Sequence, residues 1–401
     1  MTNVDSNPYR WTMLAVAWIA AFTASACING FAPLLNEIRT NLSISYTESA
    51  LLMSLAVLTC ASFQVVGGLF TRRIGTRKTM MLGATIIAIS QLITALSGTF
   101  TLEAAFRFFM GVGAGFTLLC AVELVALWFP PRELARAMGI QASGWAAGNV
   151  IGIIVPIPFE LALKTDWRGP FLMFGALAVV VSVVLLALTK DNPPIHADEN
   201  AERFNYMDIL KVKEFWLVTI GNFGAMASAF MIMTWLPTVL IEYGWSPTLA
   251  VTISALVPFM GIPGNLVGGF VSDRMGRKKP ILLATGLLGA LSFSLFIFTI
   301  QSPLVWIATA LSGWFMAFFI GPLLSTMPEV PEIGTRRAGA AWGLVMMVSS
   351  IGAFLSPILM GQIRMATGSY SLGFVLAAAF GALLIVPGVF GRETGWRARS
   401  R

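Results

Sequence analysis

Twelve apolar runs, each long enough to cross a bilayer as a helix, occupy most of this 401-residue chain. A spanning helix needs about 20 mostly apolar residues. Charged residues make up 11% of the chain, against about a quarter in soluble globular proteins, which excludes a soluble enzyme, a disordered protein or a disulfide-rich secreted domain. The sequence therefore predicts an all-α membrane protein with twelve transmembrane helices. The runs cover roughly residues 11–35, 47–70, 79–98, 101–128, 137–161, 170–189, 215–241, 247–271, 281–300, 303–327, 341–364 and 370–390.

Lysine and arginine indicate which way the chain crosses the membrane. If the N-terminus is cytoplasmic, 21 of the 26 lie in inside segments, four in outside segments and one, Arg107, within a span. Cytoplasmic loops carry an excess of Lys and Arg, so both termini are predicted to be cytoplasmic, in a plasma (inner) membrane. Because the basic residues gather in short loops between apolar runs, the net charge of +7 indicates topology and no nucleic-acid partner.

One long polar stretch, residues 190–214, separates six spans from six. It predicts an N-terminal bundle at 1–189, a cytoplasmic linker at 190–214 and a C-terminal bundle with a short basic tail at 215–401. The only histidine, His196, lies in this linker and is interpreted as solvated. Cys27, Cys60 and Cys120 fall inside apolar runs and are predicted to be buried, with no disulfide or zinc site.

The two halves share a loop sequence at an offset of 201 residues. The first copy, residues 67–78, reads GGLFTRRIGTRK, and the second, residues 268–279, reads GGFVSDRMGRKK. We refer to them as the first and second gating loops.

The second gating loop resembles the cytoplasmic loop motif of the major facilitator superfamily, G-x-x-x-D-R-x-G-R-K/R-K/R. The sequence as a whole is similar to members of this superfamily over essentially its full length. This resemblance implies two pseudo-symmetric six-helix bundles around a central site near the bilayer midplane. It also implies that these loops latch the halves in the outward-facing state. In the first copy Arg72 stands where the family has Asp, so the second copy is expected to dominate; the simpler alternative is that the basic residues only set topology. The candidate gating residues are Gly68, Arg72, Arg73, Gly75, Gly269, Asp273, Arg274, Gly276, Arg277 and Lys278.

Spans 4 and 5 carry two further family-like segments. Residues 107–113 are similar to R-x-x-Q-G-x-G, with Met110 in place of Gln. Residues 144–152 are similar to the G-x-x-x-G-P-x-x-G motif of exchangers, with Asn149 in place of Pro. Small residues four apart let helices approach closely, so Gly144, Gly148 and Gly152 are assigned mainly to helix packing.

Ionisable residues within the membrane are expensive and therefore mark candidate functional sites. Arg107 and Glu103 lie four apart on one face of span 4 and could form a structural ion pair. The functional alternative is that Arg107 binds an anionic group of the substrate and responds to a proton on a nearby carboxylate. Glu123, toward the cytoplasmic end of span 4, is the best single carboxylate candidate for a proton site, although pairing with Arg72, Arg73 or Arg136 is the more favoured role.

The resemblance implies that spans 1, 4, 7 and 10 line the cavity. For each tryptophan the alternative is packing or an interfacial belt, and Trp306 is assigned to the belt. The candidate substrate-binding residues are Asn29, Arg107, Asn222, Trp18, Trp235, Trp314 and Phe318.

The chain has no Walker loop, no metal-ligand spacing and no Ser-His-Asp set, so no enzyme activity, cofactor or metal is predicted. One buried cation, few buried acids and several amides favour a secondary transporter of a small organic or inorganic anion, coupled to protons or to exchange. Within the superfamily, the sequence resembles small-anion branches of the cyanate/nitroimidazole, oxalate/formate and monocarboxylate types.

Two alternatives stay open at this point. A drug/proton antiporter is favoured by the Arg107 segment and by the many Met and Phe residues. A transporter-like membrane sensor is ranked lower, because such sensors usually carry an added signalling domain or long tail. A monomer is expected, since alternating access does not require dimerisation.

Overall fold

The computed structural model describes residues 8–44, 46–190 and 206–397, and within these ranges the chain is helical with no β-strand. The predicted linker lies largely outside the described residues, and so does His196. Each of the twelve predicted runs coincides with a helix or a group of consecutive helices. The helices preceding the linker are α1 (Tyr9–Asn29), α2 (Leu35–Asn41), α3 (Tyr46–Ile74), α4 (Thr76–Thr94), α5 (Phe100–Trp128), α6 (Leu134–Ile154), α7 (Pro156–Leu163) and α8 (Arg168–Leu188).

The remaining helices follow the same pattern after the linker. They are α9 (Tyr206–Leu210), α10 (Lys213–Glu242), α11 (Pro247–Met275), α12 (Lys279–Thr299), α13 (Val305–Phe318), α14 (Ile320–Leu324), α15 (Thr326–Glu329), α16 (Gly334–Thr367), α17 (Ser371–Ala382) and α18 (Ile385–Phe390).

Length and composition make these helices suited to a bilayer. Among the described residues, nine segments are long and apolar enough to span a membrane, and the bent pair α6–α7 makes a tenth. Large apolar side chains such as Phe298 (80% exposed), Leu161 (76%) and Met365 (74%) lie on the outside of the helices. Lipid tails solvate such surfaces whereas water does not, so the fold is that of a multi-pass membrane protein.

Local sequence explains where several helices begin and bend. The Thr99 hydroxyl accepts from the amide of Leu102 and starts α5, and Ser246 does the same for Leu249 at the start of α11. Proline cannot donate an amide hydrogen, and Pro156 begins α7 after a 42° bend that follows Ile154.

Contacts divide the chain into two compact units. The first comprises Met1–Phe129 and Gly144–Glu202, and the second comprises Pro130–Ser143 and Arg203–Arg401. Helix α6 therefore belongs to both: its first ten residues group with the second unit and the rest groups with the first. The sequence prediction had no boundary inside this helix.

In the first unit, α5 is the central helix. It packs against α1, α3 and α4, and α4 packs in turn against α8. A buried cluster of small and aromatic residues fills the space between them, including Cys27, Cys60 and Phe174. All three cysteines are free and buried, as predicted.

In the second unit, α10 packs against α16, α11 against α13, and α12 against α17. A larger buried cluster lies among α10, α11, α12, α13 and α17, and includes Phe293, Phe296 and Phe374. Phe296 and Phe374 stack with ring centroids 5.4 Å apart, which joins α12 to α17.

Candidate substrate site and gating loops

Arg107 is a cation buried within the first unit, with 1% of its surface exposed. Its side chain leaves α5 and joins two other helices: Nε donates to the carbonyl of Leu52 on α3 (3.2 Å) and Nη2 donates to the carbonyl of Ile28 on α1 (3.3 Å). The guanidinium also lies over the Phe31 ring, 4.1 Å from its centroid. Arg107 therefore ties three helices together.

One donor group of this guanidinium is left over. Nη1 of Arg107 is buried and has no hydrogen-bond partner among the described residues. A buried, unsatisfied charged donor costs free energy, so it is a natural point for an anionic ligand to bind. Arg107 thus joins three helices and keeps one buried donor group without a described partner.

Glu103, one turn before Arg107 on α5, is completely buried but is not hydrogen-bonded to it. Its Oε2 accepts from the Ser97 hydroxyl at 2.7 Å, and its Oε1 has no hydrogen-bond partner in the part of the chain that the structure describes. The structure therefore gives this carboxylate a hydrogen bond from Ser97 in place of the pairing with Arg107 that the spacing suggested.

Glu123 lies at the other end of α5, beside the hydroxyls of Thr71 and Thr76. Its Oε2 is buried without a partner. Of the basic residues considered as its partners, Arg136 pairs with Glu133 at 3.6 Å, and the side chain of Arg72 lies outside the described residues. The partners described for this carboxylate are therefore hydroxyl groups.

The two candidate asparagines are both engaged within their own unit. Asn29, at the end of α1, donates to the carbonyl of Ser25 at 2.9 Å. Asn222 on α10 is buried and donates to the Ser349 hydroxyl on α16 at 2.8 Å. These amides hold local geometry, and the Asn222 bond also connects the two most closely packed helices of the second unit.

The candidate aromatic residues occupy three different settings. Trp18 stacks on Phe22 with centroids 5.4 Å apart in the first unit. In the second unit, the indole N–H of Trp235 donates to the carbonyl of Pro357 at 2.9 Å, inside the α10–α16 contact. Trp314 lies beside Phe318 with centroids 6.2 Å apart.

Trp314 also lines an apolar cavity of about 290 Å³ between α11 and α13. The other lining residues are Met260, Trp306, Ile307, Ala310 and Leu311. Trp306, assigned to an interfacial belt from the sequence, therefore lines this cavity. Trp306 precedes Trp314 by eight residues, about two helical turns. This spacing places both indoles on one face of α13 and is a signal that the sequence contains.

In the second gating loop, Asp273 caps the start of α6. Its carboxylate accepts from the backbone amides of Ala135 (3.1 Å) and Arg136 (2.6 Å). A carboxylate at a helix N-terminus satisfies free amide donors and interacts favourably with the helix dipole. We call this contact the latch. Gly269 permits the close approach, because a Cβ there would lie 2.5 Å from the Ala135 carbonyl oxygen.

Lys278 forms a buried ion pair at the end of the same loop. Its Nζ lies 2.6 Å from Oε2 of Glu329, and the two side chains are 5% and 2% exposed. Burial lowers the pKa of Lys278, whereas the neighbouring Glu329 opposes that shift by favouring the charged form. Arg274 and Arg277 of the same loop are exposed.

The first gating loop holds its charges differently. Gly75 connects α3 to α4 at a φ of 88°, a conformation that favours glycine. Arg77, the counterpart of Lys278, donates from Nη2 to the carbonyl of Leu186 at the end of α8 (2.8 Å). Gly68 is buried and Arg73 is exposed.

The three spaced glycines of α6 face α1 within the first unit. A Cβ would lie 2.6 Å from the Trp18 carbonyl oxygen at Gly144, 2.2 Å from that of Phe22 at Gly148 and 2.7 Å from that of Ala26 at Gly152. This geometry requires glycine for helix contact and gives the segment a packing role.

A family comparison decides the class of the protein. The model of the Major Facilitator Superfamily matches residues 17–357. The chain belongs to this superfamily.

Curated relatives of this superfamily chain extend over most of its length. A probable sulfoacetate transporter of Cupriavidus necator is 24% identical over 92% of this chain and 89% of its own. The hexuronate transporter of Bacillus subtilis is 23% identical over 90% of this chain and 91% of its own. A crystal structure of the Escherichia coli fucose:proton symporter FucP is 14% identical, with a TM-score of 0.77 over 95% of this chain and 98% of that one, and it shares the fold.

Superfamily membership confirms the predicted fold class and identifies the chain as a transporter and not an enzyme. The sequence reasoning missed Met260, Trp306 and the Lys278–Glu329 pair. It also missed two residues beyond α18, Glu393 and Trp396, which contact the second gating loop. Only the Trp306–Trp314 spacing carried a local signal; the other contacts join residues far apart in the chain.

Proposed function

We propose that this superfamily member is a secondary transporter of a small organic anion, working by alternating access of its two units. The observation that carries the proposal is the buried guanidinium of Arg107 with its unpartnered Nη1. A cation in a low-dielectric interior favours an anionic ligand, and an arginine donor recognises carboxylate or sulfonate oxygens directly. The names of two relatives, which specify sulfoacetate and hexuronate, support the same solute class.

We infer that transport is coupled to protons or to exchange of a second anion. Glu103 supports proton coupling, because it is buried one turn from Arg107 and one of its carboxylate oxygens has no partner. Protonation would remove its charge and change the field at Arg107. Glu103→Gln is expected to fix the neutral state, so that uptake no longer responds to an imposed pH gradient while anion binding persists.

The proposed location is the plasma (inner) membrane, with both termini cytoplasmic and the protein acting as a monomer. The excess of Lys and Arg in the predicted inside segments supports this orientation. Reactivity of single cysteines placed in the outer and inner loops of intact cells would test it.

A thermal-shift screen of the detergent-purified protein tests the solute class. A ligand that binds only the folded state stabilises it by RT ln(1 + [L]/Kd), about 2.7 kcal/mol at a hundredfold excess over Kd. Small carboxylates and sulfonates are expected to raise the melting temperature, and amines and neutral sugars are not. The shift is expected to vanish in Arg107→Gln and to survive, reduced, in Arg107→Lys, which keeps the charge.

A second candidate function, export of lipophilic cations by proton antiport, is favoured by the apolar cavity lined by Met260, Trp306 and Trp314. Indole faces attract cations, and the apolar lining suits a lipophilic body. Stabilisation by lipophilic cations alone, lost on Trp314→Ala and retained in Arg107→Gln, would replace the anion proposal with this one.

A further inference from the structure

The residues that follow α18 pack against the second gating loop. We call residues 392–397 the tail segment. Arg392 fixes its start through two carboxylates, Glu214 (2.9 Å) and Glu332 (2.8 Å). From there the segment passes over the loop between α11 and α12, and Thr394 and Gly395 are buried.

Glu393 supplies the missing cap of α12. No side chain of the loop itself caps the start of this helix. Instead, Oε1 of Glu393 accepts from the amide of Lys278 (2.7 Å) and Oε2 accepts from the amide of Lys279 (3.4 Å), a contact made over more than a hundred residues of sequence. A carboxylate in this position satisfies free amides and fixes where the helix begins.

Trp396 holds the other end of the loop. Its indole N–H donates to the backbone carbonyl of Asp273 at 2.9 Å, and the amide of Arg397 donates to the carbonyl of Gly276 at 3.3 Å. Gly276 has a φ of 63°, and a Cβ there would lie 2.6 Å from Cγ of Arg397 and 2.8 Å from Cε2 of Trp396. The loop therefore leaves room for the tail segment only because residue 276 is glycine.

Trp396 also contacts the segment that precedes the latched helix. The Arg132 guanidinium lies 5.3 Å from the Trp396 ring centroid, two residues before α6 begins. The Trp396 indole therefore contacts both Asp273, whose carboxylate caps α6, and the segment that leads into α6.

We propose that Glu393 and Trp396 are positioning residues of the transport cycle, which hold the second gating loop so that the Asp273 carboxylate meets the start of α6. Release of the latch then requires the start of α6 to leave the Asp273 carboxylate, while Glu393 and Trp396 hold the loop that carries it. The tail segment sets how often the latch opens. This inference rests on alternating access as proposed above, but its test uses no substrate, so the two can fail separately.

The test measures how fast a buried reporter on α6 becomes accessible. Met138, 0% exposed in the part of α6 that groups with the second unit, is replaced by cysteine, and its reaction with a water-soluble maleimide is followed in detergent. The parent chain gives the background, since its own cysteines are buried. Trp396→Ala and Glu393→Ala are each expected to raise the labelling rate about five- to tenfold, the change in an opening equilibrium that one or two lost hydrogen bonds produce.

Three controls separate positioning from general loosening. Trp216→Ala removes another indole that donates to a carbonyl, that of Leu210, and it is expected to leave labelling unchanged. A second reporter, Met231→Cys in the buried cluster of the second unit, is expected to stay protected in every variant. In an Asp273→Ala background, Trp396→Ala is expected to add little, because it acts through the same latch.

Unchanged labelling at position 138 in both tail variants would overturn the proposal. So would an equal rise at position 231, or a full additional effect of Trp396→Ala without Asp273. If Trp396→Ala does not give a folded protein, Trp396→Phe keeps the ring and removes only the N–H donor, and it is expected to raise labelling about threefold.

Discussion

The two gating loops begin from similar sequences and secure their charged residues in different ways. In the second loop, Lys278 is buried against Glu329 at 2.6 Å, and Asp273 caps α6. In the first loop, the counterpart Arg77 reaches a backbone carbonyl, and Glu123 lies beside the hydroxyls of Thr71 and Thr76. Both copies thus have a glycine of positive φ after the helix, Gly75 and Gly276, whereas the capping carboxylate and the buried ion pair belong to the second copy.

A loop motif therefore does not by itself produce a helix-capping contact of the kind seen at the latch. The second loop has the Asp273 carboxylate at the third-last residue of α11, a helix start for it to cap, and a tail segment that contacts both. The first loop has Arg72 at the corresponding position and so lacks that capping carboxylate. We therefore propose that gating depends mainly on the second copy, and parallel substitutions in the two loops can test this comparison.

The largest difference is expected between the two buried acids. Glu329→Gln removes the carboxylate paired with the buried Lys278 and leaves only the interactions of Lys278 with Asp273 and Glu393, which is expected to cost about 3–5 kcal/mol of unfolding free energy. Glu123→Gln is expected to cost less than about 1 kcal/mol, since an amide can still bond to the hydroxyls of Thr71 and Thr76. Denaturant unfolding in a fixed detergent measures both, and equal losses would show that the loops are electrostatically equivalent.

A smaller effect is expected at the latch. Asp273→Ala removes the acceptor of the Ala135 and Arg136 amides, a capping loss of about 1–2 kcal/mol. Hydrogen exchange of the peptide that contains these amides is expected to speed up about tenfold. Arg274→Ala, an exposed neighbour, serves as the matched control and is expected to change exchange less than about twofold. Unchanged exchange in Asp273→Ala would mean that the cap does not limit opening at α6.

The smallest effect is expected when the whole ion pair is replaced. Lys278→Met combined with Glu329→Leu removes both charges together, so no unpaired charge remains buried. The double variant is expected to lie within about 1 kcal/mol of the parent, although each single change is costly. A loss as large as that of Glu329→Gln would show that the pair itself, and not the penalty for breaking it, stabilises the loop.

The sequence predicted the fold well because bilayer helices are encoded locally. Each predicted run of about 20 apolar residues coincides with a helix or a group of consecutive helices, and the internal repeat located both gating loops. The short helices α2 and α9 lie almost entirely outside these runs. The bend after Ile154 was signalled by Pro156. The partner of each polar group could not be predicted from the sequence. The contacts join residues far apart in the chain, and hydrophobic periodicity carries no information about them. Examples are Asn222 with Ser349, Lys278 with Glu329, and Glu393 with the start of α12.

The site prediction had the same limit. A single arginine in span 4 was identifiable because charges are rare in spans, but its bonds to the carbonyls of Leu52 and Ile28 depend on how three helices pack. The spacing of Glu103 suggested a pair with Arg107, whereas the fold gives that carboxylate to Ser97.

Uptake by reconstituted protein tests the central claim most directly. The organic anion that gives the largest thermal shift is radiolabelled, and its uptake into proteoliposomes is compared for the parent, Arg107→Gln and Arg107→Lys at matched amounts of folded protein. We expect saturable uptake by the parent, a reduced rate for Arg107→Lys, and a loss of uptake of at least about a hundredfold for Arg107→Gln. A loss of this size corresponds to the 2–5 kcal/mol or more that truncating one partner of a buried charge contact costs. Undiminished anion uptake by folded Arg107→Gln would contradict it.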